Sequence, residues 1–332
     1  MNEYIGIDVG KNDLATTWLR DFASKRIKTK ALKNTQKGHR DLAEWLLKNT
    51  KEMPENIIIT LEPTNIYHEA LMYFLHNKGF KIQLANTGKA KKYAESINLV
   101  HKTDKSDGTM LAYYGEAQKF NLDLWVPEPL EVRELKALMK RLDALNKDKQ
   151  RELNRQESSE FGLISTRVLQ SLHNIIAALD TEIAKLTKEI DDHIDGNPSL
   201  NRNRELLKSI HGIGDVMSRE LVCLFASKKF NTAKQAAAYL GLIPRLKESG
   251  KLKGRTVLTK LGPAHIRAKL YMAAVCASTY NPDIKAQKER LLSTGKNKMQ
   301  ALGAAMRKLI QICFGVVKHQ TEYQPQIVLK TA

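Results

Sequence analysis

Two aspartates three residues apart give this sequence its clearest candidate for chemistry. Asp104 and Asp107 lie in VHKTDKSDG, and the TMLAYYGEAQKF that follows is typical of a helix. Residues three apart share one face of a helix, so both carboxylates can point to one spot. Mg²⁺ is usually held by one or two carboxylates together with substrate phosphate. The alternative is a solvated charge pattern at a helix start, where aspartate also suits the helix dipole.

Two further acids stand at strand ends, where a purely structural role is hard to justify. Asp8 lies near the end of the apolar strand YIGIDVG, and Glu62 ends the apolar run in NIIITLEP. Burying a charge without a partner is costly, and open α/β sheets place their ligand sites at strand ends. Asp104 and Asp107 come just before the last helix of the same region. We therefore predict that the four acids meet and hold Mg²⁺ or Mn²⁺.

Strands that alternate with helices must position these acids, and this alternation indicates an α/β domain over residues 1–127. Residues 14–20 and then KRIKTKAL continue the first strand as a meander. The apolar run before Glu62 fits a buried parallel strand. The remaining strand is predicted at 80–86, and the helices at 35–49, 65–79 and 88–97.

A helical segment is predicted next, over 128–198. Pro127 and Pro129 break the chain before it. Leucines and isoleucines then recur at intervals of three and four, which is the pattern of a coiled coil. The seam consists of Leu135, Leu138, Leu142, Leu145, Leu172, Ile176, Leu179, Ile183, Leu186 and Ile190. The pattern is compatible with a hairpin within one chain and with pairing between subunits.

The last third of the chain carries almost all of the net charge. Residues 201–332 hold 24 Lys and Arg against 7 Asp and Glu, whereas residues 1–200 hold 30 against 29. Such a surface attracts a polyanion, with nucleic acid as the first candidate. Here LLKSIHGIGDVMSRELVCLF places Gly212 and Gly214 between two helices, as in a helix-hairpin-helix, whose backbone N–H groups approach a DNA phosphate. The alternative is a plain glycine turn between helices.

Composition narrows the class of protein further. With 42% hydrophobic and 27% charged residues, the 332-residue chain is expected to be globular. Three widely spaced cysteines suggest a reducing compartment and no disulfide framework. The N-terminal MNEYIGIDVGK is typical of a strand and not of a signal peptide, and no apolar run approaches the length of a membrane span. We expect a cytoplasmic protein without a membrane partner.

The motifs also resemble one known family. The acids in YIGIDVGK, ITLEPTNIY and HKTDKSD resemble the four-acid set of the RuvC-like domain in DEDD insertion-sequence transposases related to the Piv DNA invertase, the bridge-RNA-guided recombinases. AAYLGLIPR, the basic loop with Ser249-Gly250 and RAKLYMAA resemble the C-terminal transposase domain of that family. The resemblance implies a RuvC/RNase H-like fold for the first domain. It also implies a mainly α-helical transposase domain with a helix-hairpin-helix-like element over 199–332.

The resemblance further implies a mechanism and partners. It describes a prokaryotic DNA transposase or site-specific recombinase, nucleoid-associated when bound to DNA, in which Ser249 is the nucleophile. A phosphoserine bond to DNA conserves the energy of the broken phosphodiester, so strands are exchanged without ATP. The implied partners are donor and target DNA, a guide (bridge) RNA, and further copies of the chain, as a dimer or tetramer through the coiled coil. Candidates for neutralising phosphates near the serine are Arg245, Lys253, Arg255 and Arg267.

Two other functions fit the same residues. One is a RuvC-like Holliday-junction-type nuclease, in which metal-activated water attacks and Ser249 is a bystander. It predicts cleaved DNA ends without a protein–DNA adduct. The other is a non-catalytic nucleic-acid-binding scaffold, which predicts that Asp104→Asn leaves activity intact.

Overall fold

The chain divides after Pro127 into two units, Met1–Pro127 and Glu128–Ala332. This computed structural model describes the following residues: 2–63, 65–97, 103–160, 162, 165–245, 248–249, 252–253 and 257–326. Within those ranges, no helix is both long and apolar enough to cross a membrane.

A five-stranded sheet is the centre of the N-terminal unit. Its strands are β1 (Glu3–Val9), β2 (Asp13–Asp21), β3 (Arg26–Lys33), β4 (Ile57–Leu61) and β5 (Lys81–Leu84), in the spatial order β3-β2-β1-β4-β5. The first three strands form an antiparallel meander, while β4 and β5 run parallel to β1. This mixed topology confirms the predicted α/β RuvC/RNase H-like fold.

Burial explains where each strand lies in the sheet. All five residues of β4, IIITL, are buried, as expected for a strand covered on both faces. At the opposite extreme, β3 reads RIKTKALK and is mostly exposed. Lysines on an edge strand discourage pairing with another chain, so the charged strand lies at the edge of the sheet and the apolar one near its centre.

In the described part of this unit, the α-helices are α1 (Gln36–Thr50), α2 (Glu69–Asn77), α3 (Thr87–Ser96) and α4 (Asp104–Ala117), with short 3₁₀ helices at Pro54–Asn56 and Lys119–Asn121. The expected start of α2 at residue 65 is wrong, because Asn65 has a left-handed φ of 49° and the helix begins four residues later. The expectation that Asp104 and Asp107 precede the last helix is also wrong. Thr103 and Ser106 form a reciprocal capping box, which starts α4 at Asp104 and places both acids in its first turn.

The coiled-coil segment folds back on itself within the chain. α5 (Leu130–Glu160) and α6 (Thr166–Asp195) pack antiparallel. At the base of this hairpin, His193 Nε2 lies 2.8 Å from the Glu131 carbonyl oxygen. Towards the tip, Lys149 pairs with Asp180. Of the two arrangements that the heptads allow, the structure therefore contains the intrachain hairpin.

Among the residues described after α6, the C-terminal unit contains six more helices and two small ribbons. The helices are α7 (Pro198–Lys208), α8 (Asp215–Ser227), α9 (Ala233–Tyr239), α10 (Ala264–Tyr280), α11 (Pro282–Ser293) and α12 (Lys298–His319). The ribbons pair β6 (Pro244–Arg245) with β9 (Val257–Leu258), and β7 (Glu248–Ser249) with β8 (Leu252–Lys253). One apolar core joins the base of the hairpin to these helices.

Candidate active site

The strand register brings Asp8 and Glu62 side by side. β1 and β4 are parallel neighbours, and Ile7 lies opposite Leu61. Asp8 follows Ile7 and Glu62 follows Leu61, and both acids are partly buried. Neighbouring strands are about 4.8 Å apart, so two carboxylates begin from adjacent backbone positions at the carboxyl ends of parallel strands.

Glycines bring α4 against the same face of the sheet. A methyl group added at Gly6 would lie 2.1 Å from the Gly108 carbonyl oxygen and 2.2 Å from the Ala112 nitrogen. A methyl group at Gly115 would lie 2.2 Å from Thr60 Oγ1. Side chains two residues apart in a strand share a face, so Asp8 lies on the face of Gly6 that α4 covers.

This packing places Asp107 next to β2, at the residue that pairs with Asp8 of β1. It directly precedes Gly108, where a methyl group would lie 2.7 Å from the Ala15 carbonyl oxygen. Ala15 is the β2 partner of Asp8. The structure therefore gathers the backbones of Asp8, Glu62 and Asp107 at one end of the sheet. The backbone of Asp104 begins the same helical turn, and its side chain lies outside the described residues.

The donor set fits a hard cation by its chemistry. Carboxylate oxygens are the ligands that Mg²⁺ and Mn²⁺ take in proteins, and all three described acids remain partly accessible. Among the side chains that the structure describes, no three His, Cys, Asp or Glu groups are close enough to form a ready-made metal cluster. The side chain of Asp104, the fourth predicted ligand, is not among those described.

The predicted nucleophile lies in the other unit, on a narrow ribbon. Ser249 is in β7, and its backbone pairs with Leu252 of β8. Arg245 is exposed on β6, opposite Val257. The side chains of Ser249 and Lys253, and the whole of Arg255, lie outside the described residues. Their predicted roles stay predictions.

Gly241 and Arg267 stabilise the chain segments that flank the β6–β9 ribbon. Gly241 has a φ of 68°, and a methyl group there would lie 2.2 Å from the Leu261 carbonyl oxygen. Arg267 Nη1 lies 3.2 Å from the same oxygen and 3.0 Å from that of Gly262. One nitrogen of Arg267 thus donates to the protein's own backbone. The predicted phosphate contact stays a prediction for its other N–H groups.

The helix-hairpin-helix-like element is formed by α7 and α8. Gly212 has a φ of 103°, and a methyl group there would lie 2.6 Å from Ala277 Cβ, so only glycine fits without strain. Gly214 is the N-cap of α8 and has open space around it. Asp215 occupies the first helical position and pairs with Lys208 at 2.7 Å. The Lys208 hydrogen bond lowers the pKa of Asp215, which keeps a negative charge at this helix start.

Comparison with known proteins agrees with these features. The family model described as transposase IS116/IS110/IS902 family matches residues 204–289, and a transposase model of the IS110 DEDD type matches residues 5–159. The chain belongs to the IS110 transposase family. Pilin gene-inverting proteins of Moraxella bovis and Moraxella lacunata are each 29% identical to it over 98% of both chains. A 42 kDa protein of the insertion element IS900 from Mycobacterium paratuberculosis is 23% identical over 49% of this chain and 40% of its own.

As a member of this family, the transposase is an enzyme of DNA recombination. A solved structure, T. thermophilus RuvC in complex with a Holliday junction substrate, covers 38% of this chain and 100% of its own. Its sequence identity is 11% and its TM-score 0.29.

Sequence reasoning missed several residues that shape the sites of this transposase. Gly6 is one, although a glycine inside a strand is a known signal of close backbone approach. Asn281 is another: it is fully buried, caps α11, and places its amide nitrogen 3.4 Å from the His211 carbonyl oxygen in the glycine turn. Tyr323 donates to Asn281 Oδ1 at 2.9 Å. The Asn-Pro pair at 281–282 is a helix-start signal that would have drawn attention to Asn281.

Proposed function

We propose that this transposase cuts and rejoins DNA through a covalent phosphoserine bond formed by Ser249. The observation that carries its metal-dependent part is that Asp8 and Glu62 directly follow the paired residues Ile7 and Leu61, with Asp107 brought to the same end of the sheet by α4. The role of Ser249 is supported by the family resemblance of its loop. Carboxylates gathered at one edge of a sheet repel each other, and a cation bound between them would offset that repulsion. They are suited to hold cations against DNA phosphate.

Asp8, Glu62, Asp104 and Asp107 are the residues that would hold Mg²⁺ or Mn²⁺. When bound, the cations would polarise the scissile phosphate and stabilise developing charge on its oxygens. The chain's own acids would fix where the cations bind, since Asp8 lies on β1 and Glu62 directly follows β4. Asp104 and Asp107 lie in the first turn of α4.

The covalent step conserves both bonds and protons. The Ser249 hydroxyl gives up its proton, and its oxygen forms a bond to phosphorus. The bond from phosphorus to a deoxyribose oxygen breaks, and that oxygen leaves as a hydroxyl after it takes up a proton. Attack by a hydroxyl of another strand reverses these changes, releasing Ser249 and sealing the DNA without ATP.

A denaturing adduct assay tests this proposal. End-labelled DNA that carries the ends of the insertion sequence is incubated with the full chain and Mg²⁺. Labelled protein is then sought after denaturation. We expect an adduct that disappears in Ser249→Ala and persists in Ser199→Ala, which changes an exposed serine of the same unit. Cleaved ends without adduct, unchanged in Ser249→Ala, would refute the serine mechanism.

The second candidate is a RuvC-like nuclease that uses metal-activated water. It is favoured by one observation: the three described acids belong to Met1–Pro127, whereas Ser249 belongs to the other unit. It predicts that Ser249→Ala retains strand cleavage, while Asp8→Asn abolishes it. Ser249→Ala therefore separates the two mechanisms, because both of them require Asp8.

We also propose donor DNA, target DNA and a guide RNA as partners of the basic unit. The support is the excess of 24 Lys and Arg over 7 Asp and Glu in residues 201–332, together with the family resemblance for the RNA. Nuclease treatment tests the RNA. Removing RNA from the purified complex should abolish recombination, and adding back the structured noncoding RNA flanking the coding region should restore it.

Self-association through the α5–α6 hairpin is proposed as well. Near the tip, Val168 and Ile175 of α6 are 49% and 48% exposed. The α5 residues of the facing stretch are mostly polar, including Glu152 and Gln156. Val168 and Ile175, which lie outside the heptad seam, thus give α6 apolar surface that α5 does not cover, as expected of a helix that pairs with a second copy.

A further inference from the structure

One amide side chain ties together the two loops that follow the acid-bearing strands. Asn34 lies between β3 and α1 and is half-buried. Its Nδ2 donates to the Gly10 carbonyl oxygen at 3.0 Å and to the Tyr67 carbonyl oxygen at 3.0 Å. Gly10 comes two residues after Asp8, and Tyr67 five residues after Glu62.

His39 fixes the orientation of that amide. Because both carbonyl contacts need N–H donors, the other amide atom is the oxygen, which lies 2.7 Å from His39 Nε2. His39 must therefore donate from Nε2. His39 is 4% exposed, and the centroid of its ring lies 5.9 Å from that of the Phe74 ring. Burial lowers the pKa of His39, so the neutral Nε2–H form is favoured and the amide has one arrangement.

A second contact connects the Asn34 backbone to the same region. Its backbone N–H donates to the Asn12 carbonyl oxygen at 2.8 Å, in the turn that joins β1 to β2. Side chain and backbone together hold the β1–β2 turn, the β3–α1 junction and the β4–α2 loop. Two neighbouring carboxylates repel each other before a cation binds, and these contacts resist the separation of their loops.

We propose that Asn34 is a positioning residue that sets the spacing of Asp8 and Glu62 for the cation. This inference rests on the proposed metal site. It assigns the preorganisation of the site to a group that is neither a ligand nor a base. Loss of the two N–H donors should leave the ligands present but loosely spaced, so cation affinity falls while the fold survives.

Mn²⁺ binding by the full chain, measured by titration calorimetry, tests the inference. We expect Asn34→Ala to weaken Mn²⁺ binding about tenfold and to raise the Mg²⁺ concentration for half-maximal cleavage, with cleavage recovering at saturating Mg²⁺. Asn49→Ala is the matched control, because Asn49 also bonds a backbone carbonyl, that of Trp45 at 2.6 Å, but near the end of α1. It should bind Mn²⁺ like the wild type.

Asn34→Asp decides the matter if the alanine variant does not fold. Aspartate keeps an oxygen for His39 and loses both N–H donors, while its added charge alone would attract cations. Weaker Mn²⁺ binding in Asn34→Asp supports positioning, and equal or tighter binding overturns it. Asp8→Asn separates this result from the parent proposal: if it binds Mn²⁺ like the wild type, the metal site itself is wrong.

Discussion

Glycines, more than charged groups, decide how close α4 comes to the sheet. Gly6, Gly108 and Gly115 each face backbone or side-chain atoms at distances that a Cβ atom cannot occupy. Asp107 is held at the strand ends because its neighbour Gly108 fits against β2. Glycines, which have no side chain, thus determine where the candidate metal ligand Asp107 lies.

Gly6→Ala should destabilise the N-terminal unit by about 3 kcal/mol, the upper part of the range for overpacking. The new methyl group would meet backbone atoms of α4, which cannot rotate away. Urea unfolding measures the change. Gly88→Ala in α3 is the control, since its methyl group would make only an ordinary 3.4 Å contact. Equal stability of the two variants would contradict the close approach.

Asp215 places a negative charge where the helix-hairpin-helix-like element would meet phosphate. Asp215→Asn should tighten DNA binding by about two- to fivefold at low salt, which corresponds to the 0.3–1 kcal/mol of a charge at a helix terminus. Fluorescence anisotropy with a labelled duplex measures the affinity. Glu182→Gln, an exposed acid on α6, should change it little. Unchanged or weaker binding by Asp215→Asn would argue against phosphate at this turn.

At the scale of elements, hydrophobic periodicity predicted the strands and most helices, because the residues of each element themselves show which face is buried. The IIITL run of β4 and the heptads of α5 and α6 are examples. The start of α4 depended on a capping box that apolar periodicity does not contain. The approach of α4 to β1 and the Asn34 contacts join residues far apart in sequence. Gly6 signals a close backbone approach to β1, but a single sequence does not show which element makes it, and it contains no signal for the Asn34 contacts.

The exposed apolar side chains of α6 make the proposed dimer sensitive to one residue. Ile175→Glu should dissociate the dimer, because a carboxylate would be buried in an apolar helix pairing. Light scattering after size-exclusion chromatography gives the mass. Ala177→Glu changes an exposed residue on another side of α6 and should leave the mass unchanged. Retention of the dimer by Ile175→Glu would place the interface elsewhere.

Over the whole molecule, the basic charge and the proposed metal ligands belong to different units. The acids that suit a cation belong to Met1–Pro127, and the basic excess belongs to residues 201–332. A polyanion should therefore bind mainly through the second unit, with an affinity governed by counterion release. Sequence specificity must then come from elsewhere, which is the role proposed for the guide RNA.

This division of charge predicts how the loss of a single basic side chain affects the salt dependence of DNA binding. Arg245→Gln removes an exposed charge beside the Ser249 ribbon and should reduce the slope of log K against log salt by about 0.9, the value of one phosphate contact. The loss should be uniform across DNA sequences, because phosphate contacts carry no base information. Lys30→Gln, an exposed charge on β3 of the first unit, should leave the slope unchanged. If Lys30→Gln lowers the slope as much as Arg245→Gln does, DNA binding is not concentrated on the basic unit.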